Sequence, residues 1–262
     1  MLDINRILEN FPPELQGKPQ YYEYMIKEMF HFKMLNIMYN SQWAPKLSFI
    51  GGTNLRIIHK IERFSEDLYF DCFNLSKEEF LDITDTVITR FHDEGFDVNA
   101  EDRSSDLKLE AFRRTISFPR LMYNLKLTGH REKKFHIKIE AEAHHFGYTP
   151  DQTIIQKFNI MTQINTTPAD ILLSMKIAAM LDRQKGRDFY DVLFLWGKTW
   201  PNLKYLKEKL NINSIEALKK RILEVCDSVD FEMKSYDFEK LVYTPEEVKK
   251  VKLFPDYIRG KL

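Results

Sequence analysis

Gly51 and Gly52 stand where a short apolar run, Leu47 to Ile50, gives way to residues with helical spacing, and Thr53 follows them. A strand that turns on glycine into a helix lets backbone amides approach an anion at the positive end of the helix dipole, so Gly51, Gly52 and Thr53 can seat a phosphate. The same glycine pair also suits any tight turn, and by itself it does not choose between the two readings. Further on, Ser65-Glu66-Asp67-Leu68-Tyr69-Phe70-Asp71 alternates polar and apolar side chains, which on a strand gathers Asp67, Tyr69 and Asp71 on one face. Carboxylates spaced by two are ligands for hard divalent cations such as Mg²⁺ or Mn²⁺ that bridge nucleotide phosphates; they are equally at home on a solvated strand edge.

A third acid lies in His136-Ile137-Lys138-Ile139-Glu140-Ala141-Glu142, where Lys138, Glu140 and Glu142 share one face and the apolar residues the other. Glu140 is the candidate ligand or base. His136, His144 and His145 read as surface or internally satisfied histidines rather than metal ligands. The segment from Lys176 to Asp191 carries Lys176, Arg183, Lys185, Arg187, Asp188 and Asp191 around a glycine, Gly186. Arg183 or Arg187 can grip two phosphate oxygens and Lys176 can act as a point charge, or the segment is a helix corner tied by ion pairs from Arg187 to Asp188 or Asp191.

These residues need a scaffold, and the periodicities outline one. Residues 22–40 place Tyr22, Met25, Ile26, Met29, Phe30, Met34, Ile37 and Met38 at helical spacing, which predicts an amphipathic packing helix. Leu47 to Ile50 reads as a buried strand, Asn54 to Lys60 as the start of a helix, and Asp67 to Phe73 as a strand packed on one side. Lys77 to Glu94 reads as a helix closed by Gly95. Phe96 to Ala100, Lys108 to Phe118, Leu121 to Thr128 and Lys134 to Ala143 read as strands. From about Thr167 the pattern turns helical, over Ala169 to Leu181, Asp188 to Trp196 and Ile215 to Val229. The reading is therefore an α+β fold: a domain over 1–160 with a mixed sheet and helices, then a helical domain over 161–262.

The chain has 262 residues, 44% of them hydrophobic, enough to bury a core. Lysine plus arginine equals aspartate plus glutamate at 39 each, so an RNA partner would need a local patch. Lys204, Lys207, Lys209, Lys219 and Lys220 are candidates for such a patch, or for a plain solvated helix face. Cys72 and Cys226 are too far apart for a C-x-x-C site and read as reduced core residues. No apolar run approaches the roughly 20 residues that span a bilayer, so no membrane association is expected and the chain reads as cytoplasmic.

Taken together, four pieces in this order resemble the AbiEii/AbiGii nucleotidyltransferase toxins, which share the DNA polymerase beta-like catalytic fold. They are Phe49-Ile-Gly-Gly-Thr-Asn-Leu-Arg56, Arg63-Phe-Ser-Glu-Asp-Leu-Tyr-Phe-Asp71, Lys138-Ile-Glu140, and Lys176 through Asp191. The resemblance implies a phosphate turn at Gly51, Gly52 and Thr53, metal-binding acids beginning at Asp67 with a third at Glu140, and catalytic roles for Asp67, Glu140 and Lys176; Asp71, on the same strand face but about 7 Å beyond Tyr69, is a further candidate metal ligand. Ser65, Arg183, Arg187 and Asp188 would complete the nucleotide site. It further implies Mg²⁺ or Mn²⁺, an NTP substrate, transfer RNA as acceptor and a cognate antitoxin in a defence operon. One position departs from the pattern, because the family's second strand acid is Tyr69 here. That leaves an active enzyme using Asp67, Glu140 and Asp71, a degenerate homologue that binds nucleotide, RNA or protein, or an enzyme that AMPylates a partner protein.

Overall fold

The computed structural model describes residues 2–102 and 111–261. Two compact units divide it: Met1–His59 with Phe64–Thr166, and Lys60–Arg63 with Thr167–Leu262. The first unit contains, in chain order, α1 (Ile4–Leu8), α2 (Pro13–Gln16), α3 (Tyr22–Tyr39), β1 (Leu47–Ile50), α4 (Gly51–Ile57), β2 (Leu68–Cys72) and α5 (Lys77–Asp93). It continues with β3 (Asn99–Asp102), β4 (Ala111–Ser117), α6 (Leu121–Asn124), β5 (His136–Glu142), β6 (Asp151–Lys157) and β7 (Ile160–Thr166). The strands form one mixed sheet in the order β3-β4-β5-β2-β1-β7-β6, with β2 parallel to β5 and β1 parallel to β7. The α+β architecture expected from the residue pattern is the one found.

Alternation sends one face of every central strand into the core. Phe49, Leu68, Phe70, Ile137, Ile139 and Ala141 are buried there, and the Tyr39 ring of α3 lies against Phe70. Phe30 of α3 stacks on Phe91 of α5 and meets Phe118 and Phe135 edge-on, so an aromatic cluster joins helices to sheet. A capping box at Ser76 and Glu79 starts α5, and Gly95, with φ of +83°, follows its end. The expected stripe on α3 proves to be a helix enclosed on nearly all sides, including Lys27, Glu28 and His31. Burial of those charges is tolerated because each has a partner: Lys27 meets Glu66, and Glu28 meets Arg56 and Lys157.

Two segments differ from their periodicity. Leu121 to Thr128, which alternates like a strand, instead forms the short helix α6 entered through Arg120 in the left-handed region, with Leu121 and Met122 buried. The β4–β5 pairing has already ended before it, closed by the bond from Phe118 N to Phe135 O. Residues 151–166 form the β6–β7 hairpin, which the sequence pattern does not announce. Of the expected strand from Lys108 to Phe118, residues 108–110 lie outside the described residues.

The second unit is helical: α7 (Ala169–Arg183), α8 (Gly186–Trp196), α9 (Leu203–Leu210), α10 (Ile215–Ser228), α11 (Phe231–Tyr236), α12 (Pro245–Lys252) and α13 (Phe254–Lys261). Buried Phe189 and Trp196 place α8 at its centre, with Phe231 and Phe254 against Phe189. The short segment Lys60–Arg63 joins this unit through a bridge between Arg63 and Val242. Among the described residues no helix is long and apolar enough to cross a membrane.

Candidate active site

The glycine turn is built into α4 itself. Gly51 opens the helix with φ of +84°, and a Cβ there would stand 3.0 Å from both Cβ and Cδ2 of Tyr69. Both the backbone angle and the Tyr69 ring therefore require glycine. The rest of α4 is fixed on several sides. Thr53 donates its hydroxyl proton to the Asp67 carbonyl and accepts from Ser65 Oγ at 2.9 Å, while Asn54 donates to the Phe49 carbonyl and to Thr166. Arg56 Nε reaches Glu28 at 2.8 Å, and Lys157 meets the same carboxylate. Burial alone would raise the Glu28 pKa, but Arg56 and Lys157 together hold it below its ordinary value. The hydroxyls of Thr53 and Ser65 thus serve to join α4 to the entry of β2.

Strand register then assembles a row of side chains on the sheet face opposite the core. Ile50, Tyr69, Glu140 and Arg113 are opposite one another across β1, β2, β5 and β4. Arg113 holds Glu140 as a fork, with Nε at 2.7 Å and Nη2 at 3.3 Å from its two oxygens. Asp67, just before β2, accepts from the Lys138 backbone N at 2.9 Å, and the Lys138 ammonium is 3.7 Å from its other oxygen. The Tyr69 hydroxyl is 3.5 Å from that same oxygen. Asp71 shares the face but is 1% exposed, with its oxygens taken by His144 N at 3.0 Å and Tyr148 Oη at 2.8 Å. The structure therefore groups Gly51, Asp67, Tyr69 and Glu140, and encloses Asp71 beneath the segment after β5.

The remaining expected residues belong to the second unit. Lys176 Nζ is 2.8 Å from Asp191, whose carboxylate is also gripped by the Arg63 fork at 2.7 Å on both oxygens. Burial would raise the Asp191 pKa, but Arg63 and Lys176 overcome it and pull the value down to about 2. Lys176 shares Asp191 with Arg63, and burial pushes its ammonium below the ordinary lysine value. Arg183 pairs with buried Asp188 at 2.7 Å, so the acids of this segment meet Arg63 and Arg183 and not Arg187. Gly186 is a packing glycine, since a Cβ there would lie 1.8 Å from the Lys234 carbonyl oxygen. Lys204, Lys207, Lys209 and Lys220 are exposed beside buried Tyr205, Leu206 and Leu218, and Lys219 donates to the Arg259 carbonyl, the ordinary pattern of outer helix faces.

Asp67 and Glu140 carry the kind of oxygen that a Mg²⁺-type cation takes, and here those oxygens meet Lys138 and Arg113. A pair of cations about 3.5–4 Å apart needs a bridging acid where Tyr69 stands. Among the described residues no group of three or more His, Cys, Asp and Glu side chains gathers as a metal site. Alternation along β5 puts Lys138 on the face of Glu140, but Arg113 reaches the row only through the β4–β5 register, which one strand's sequence does not reveal.

A family model described as the nucleotidyl transferase AbiEii toxin of type IV toxin–antitoxin systems matches residues 34–212. Among solved structures, MenT4, a nucleotidyltransferase toxin from Mycobacterium tuberculosis H37Rv, is similar with a TM-score of 0.61 and 15% identity, over 98% of this chain and 90% of that one. JHP933 from Helicobacter pylori gives a TM-score of 0.54 and 16% identity, over 91% and 93%. At such identities the likeness is one of fold. No curated protein matches the chain.

Proposed function

The chain belongs to the AbiEii nucleotidyl transferase toxins of type IV toxin–antitoxin systems, and we propose that it moves a nucleotide from an NTP to an RNA acceptor, transfer RNA first among them, at the row formed by Gly51, Tyr69 and Glu140. The observation that carries this reading is the register that sets Glu140 beside Tyr69, with Asp67 and the Gly51 turn next to them.

In this scheme the amides that open α4 face the phosphates. Asp67 and Glu140 would hold a divalent cation, Mg²⁺ or Mn²⁺, which when bound would supply positive charge to the leaving pyrophosphate. The acceptor hydroxyl attacks the α-phosphorus in line, the bond to the β-phosphate oxygen breaks, pyrophosphate leaves, and Glu140 takes the hydroxyl proton. The Lys138 backbone N–H fixes the Asp67 carboxylate, so Asp67 enters the reaction already oriented. A cognate antitoxin is the expected partner of a toxin of this family.

A second reading is favoured by Tyr69, a neutral phenol where the family carries an acid: nucleotide binding without turnover. Incubation with each α-labelled NTP, Mg²⁺ or Mn²⁺, total transfer RNA and, in parallel, the purified antitoxin separates these readings. Label on RNA with matching pyrophosphate release supports transfer to RNA, whereas label on the antitoxin identifies AMPylation of a partner. No label on either, with NTP bound, leaves the binding reading.

A further inference from the structure

We infer that Arg113 and Lys138 are triphosphate-binding residues of this site, supplying positive charge that a second divalent cation would otherwise bring. The inference rests on the reading of the site as an NTP site and deepens it. Three observations carry it.

The first is placement. Arg113 stands in the same row as Ile50, Tyr69 and Glu140, and Lys138 stands beside Asp67 on the same face. Each base therefore adjoins an acid that the phosphate-bearing substrate must approach. The second is charge. Tyr69 removes a carboxylate that would help to hold another dication, and the two acids that remain are matched by one arginine and one lysine. The third is burial. Both basic side chains are 32% exposed, against 14% for Glu140 and 23% for Asp67, so water reaches the cations more than the acids and it is the cations that can swing toward an incoming phosphate.

A triphosphate offers these cations more than the carboxylates do. The guanidinium fork matches two phosphate oxygens, and the lysine ammonium follows as a mobile point charge. When an NTP enters, Arg113 turns from Glu140 and Lys138 from Asp67, which releases both carboxylates. Triphosphate binding is then independent of divalent metal, and metal dependence is confined to the transfer step.

The test is titration of the full-length protein with each ribonucleoside triphosphate, once in Mg²⁺ and once in EDTA, by isothermal calorimetry. The unaltered protein is expected to bind in EDTA, and Arg113→Gln and Lys138→Gln each to weaken that binding by about tenfold or more. Arg113→Lys, which keeps the charge, is expected to restore part of it, and thermal melts confirm that the variants fold. NTP binding that requires Mg²⁺ and ignores both glutamine substitutions would overturn the inference while leaving the proposed site intact. No NTP binding by the unaltered protein in either condition would overturn the inference and that site together.

Discussion

The two units each bring acids and bases into contact, but in different surroundings. In the first, Glu140 and Asp67 meet Arg113 and Lys138 at a rim where the side chains remain partly exposed. In the second, Asp191 is 1% exposed and is held by Arg63 on both oxygens and by Lys176. Water reaches the basic ends of the first set, each 32% exposed, so those cations can turn from their acids toward a ligand more readily than the buried Arg63 can. The second set has no solvent to replace a lost partner, and its geometry is fixed. The same residue types therefore make an exchangeable site in one place and a structural clasp in the other.

Removing Asp191 should break this contrast most visibly. Asp191→Ala leaves Arg63 and Lys176 buried without their acid and should destabilise the second unit by about 3–5 kcal/mol in denaturant unfolding. If the loss is below about 1 kcal/mol, the clasp is no different from the rim.

Acid titration sharpens the comparison, because the units should weaken in different pH windows. His31 of α3, whose Nε2 donates to the Glu66 carbonyl at 3.0 Å, has its pKa pushed down from 6.5 to about 4, chiefly by burial. The folded value is depressed, so this contribution is fully present above pH 6.5 and is lost as pH falls toward about 4, by about 3 kcal/mol in all. The Asp191 contribution, also from a depressed value, is lost only from about pH 4 down to about 2, by about 2 kcal/mol. Hydrogen exchange read peptide by peptide should show the first unit loosening before the second, and His31→Gln should flatten the upper window alone.

Gly51→Ala should cost about 1–3 kcal/mol, since it meets both the φ of +84° and the Tyr69 ring. Pairing it with Tyr69→Ala should recover the part due to the ring and leave the part due to the backbone angle and to the Cβ of residue 69, 3.0 Å away. The smallest effect on stability is expected from Arg113→Gln, below about 1 kcal/mol by thermal or denaturant unfolding, because that ion pair lies at the rim.

Much of the first unit was legible from single-strand patterns. Alternation alone puts Asp67, Tyr69 and Asp71 on one face and Glu140 on its own, and a glycine pair after an apolar run marks the start of α4. What a strand's own pattern lacks is its neighbour. Asp71 looked available until His144 N and the Tyr148 hydroxyl, more than seventy residues on, were found to take its oxygens. Arg113 joins the row by pairing, and the polar face of β6 and β7 hides a hairpin. Lys176 illustrates the same limit, for the basic motif gives no sign that Arg63, 113 residues earlier in the chain, shares its acid.

The group of Gly51, Asp67, Tyr69 and Glu140 is proposed to transfer nucleotides despite the phenol. Purified protein, Asp67→Ala and Tyr69→Asp should each be incubated with labelled NTPs, Mg²⁺ or Mn²⁺ and transfer RNA. Transfer by the unaltered protein, lost in Asp67→Ala, is the expected result. Transfer seen only after Tyr69→Asp would contradict it and identify a nucleotide-binding scaffold whose chemistry Tyr69 has switched off.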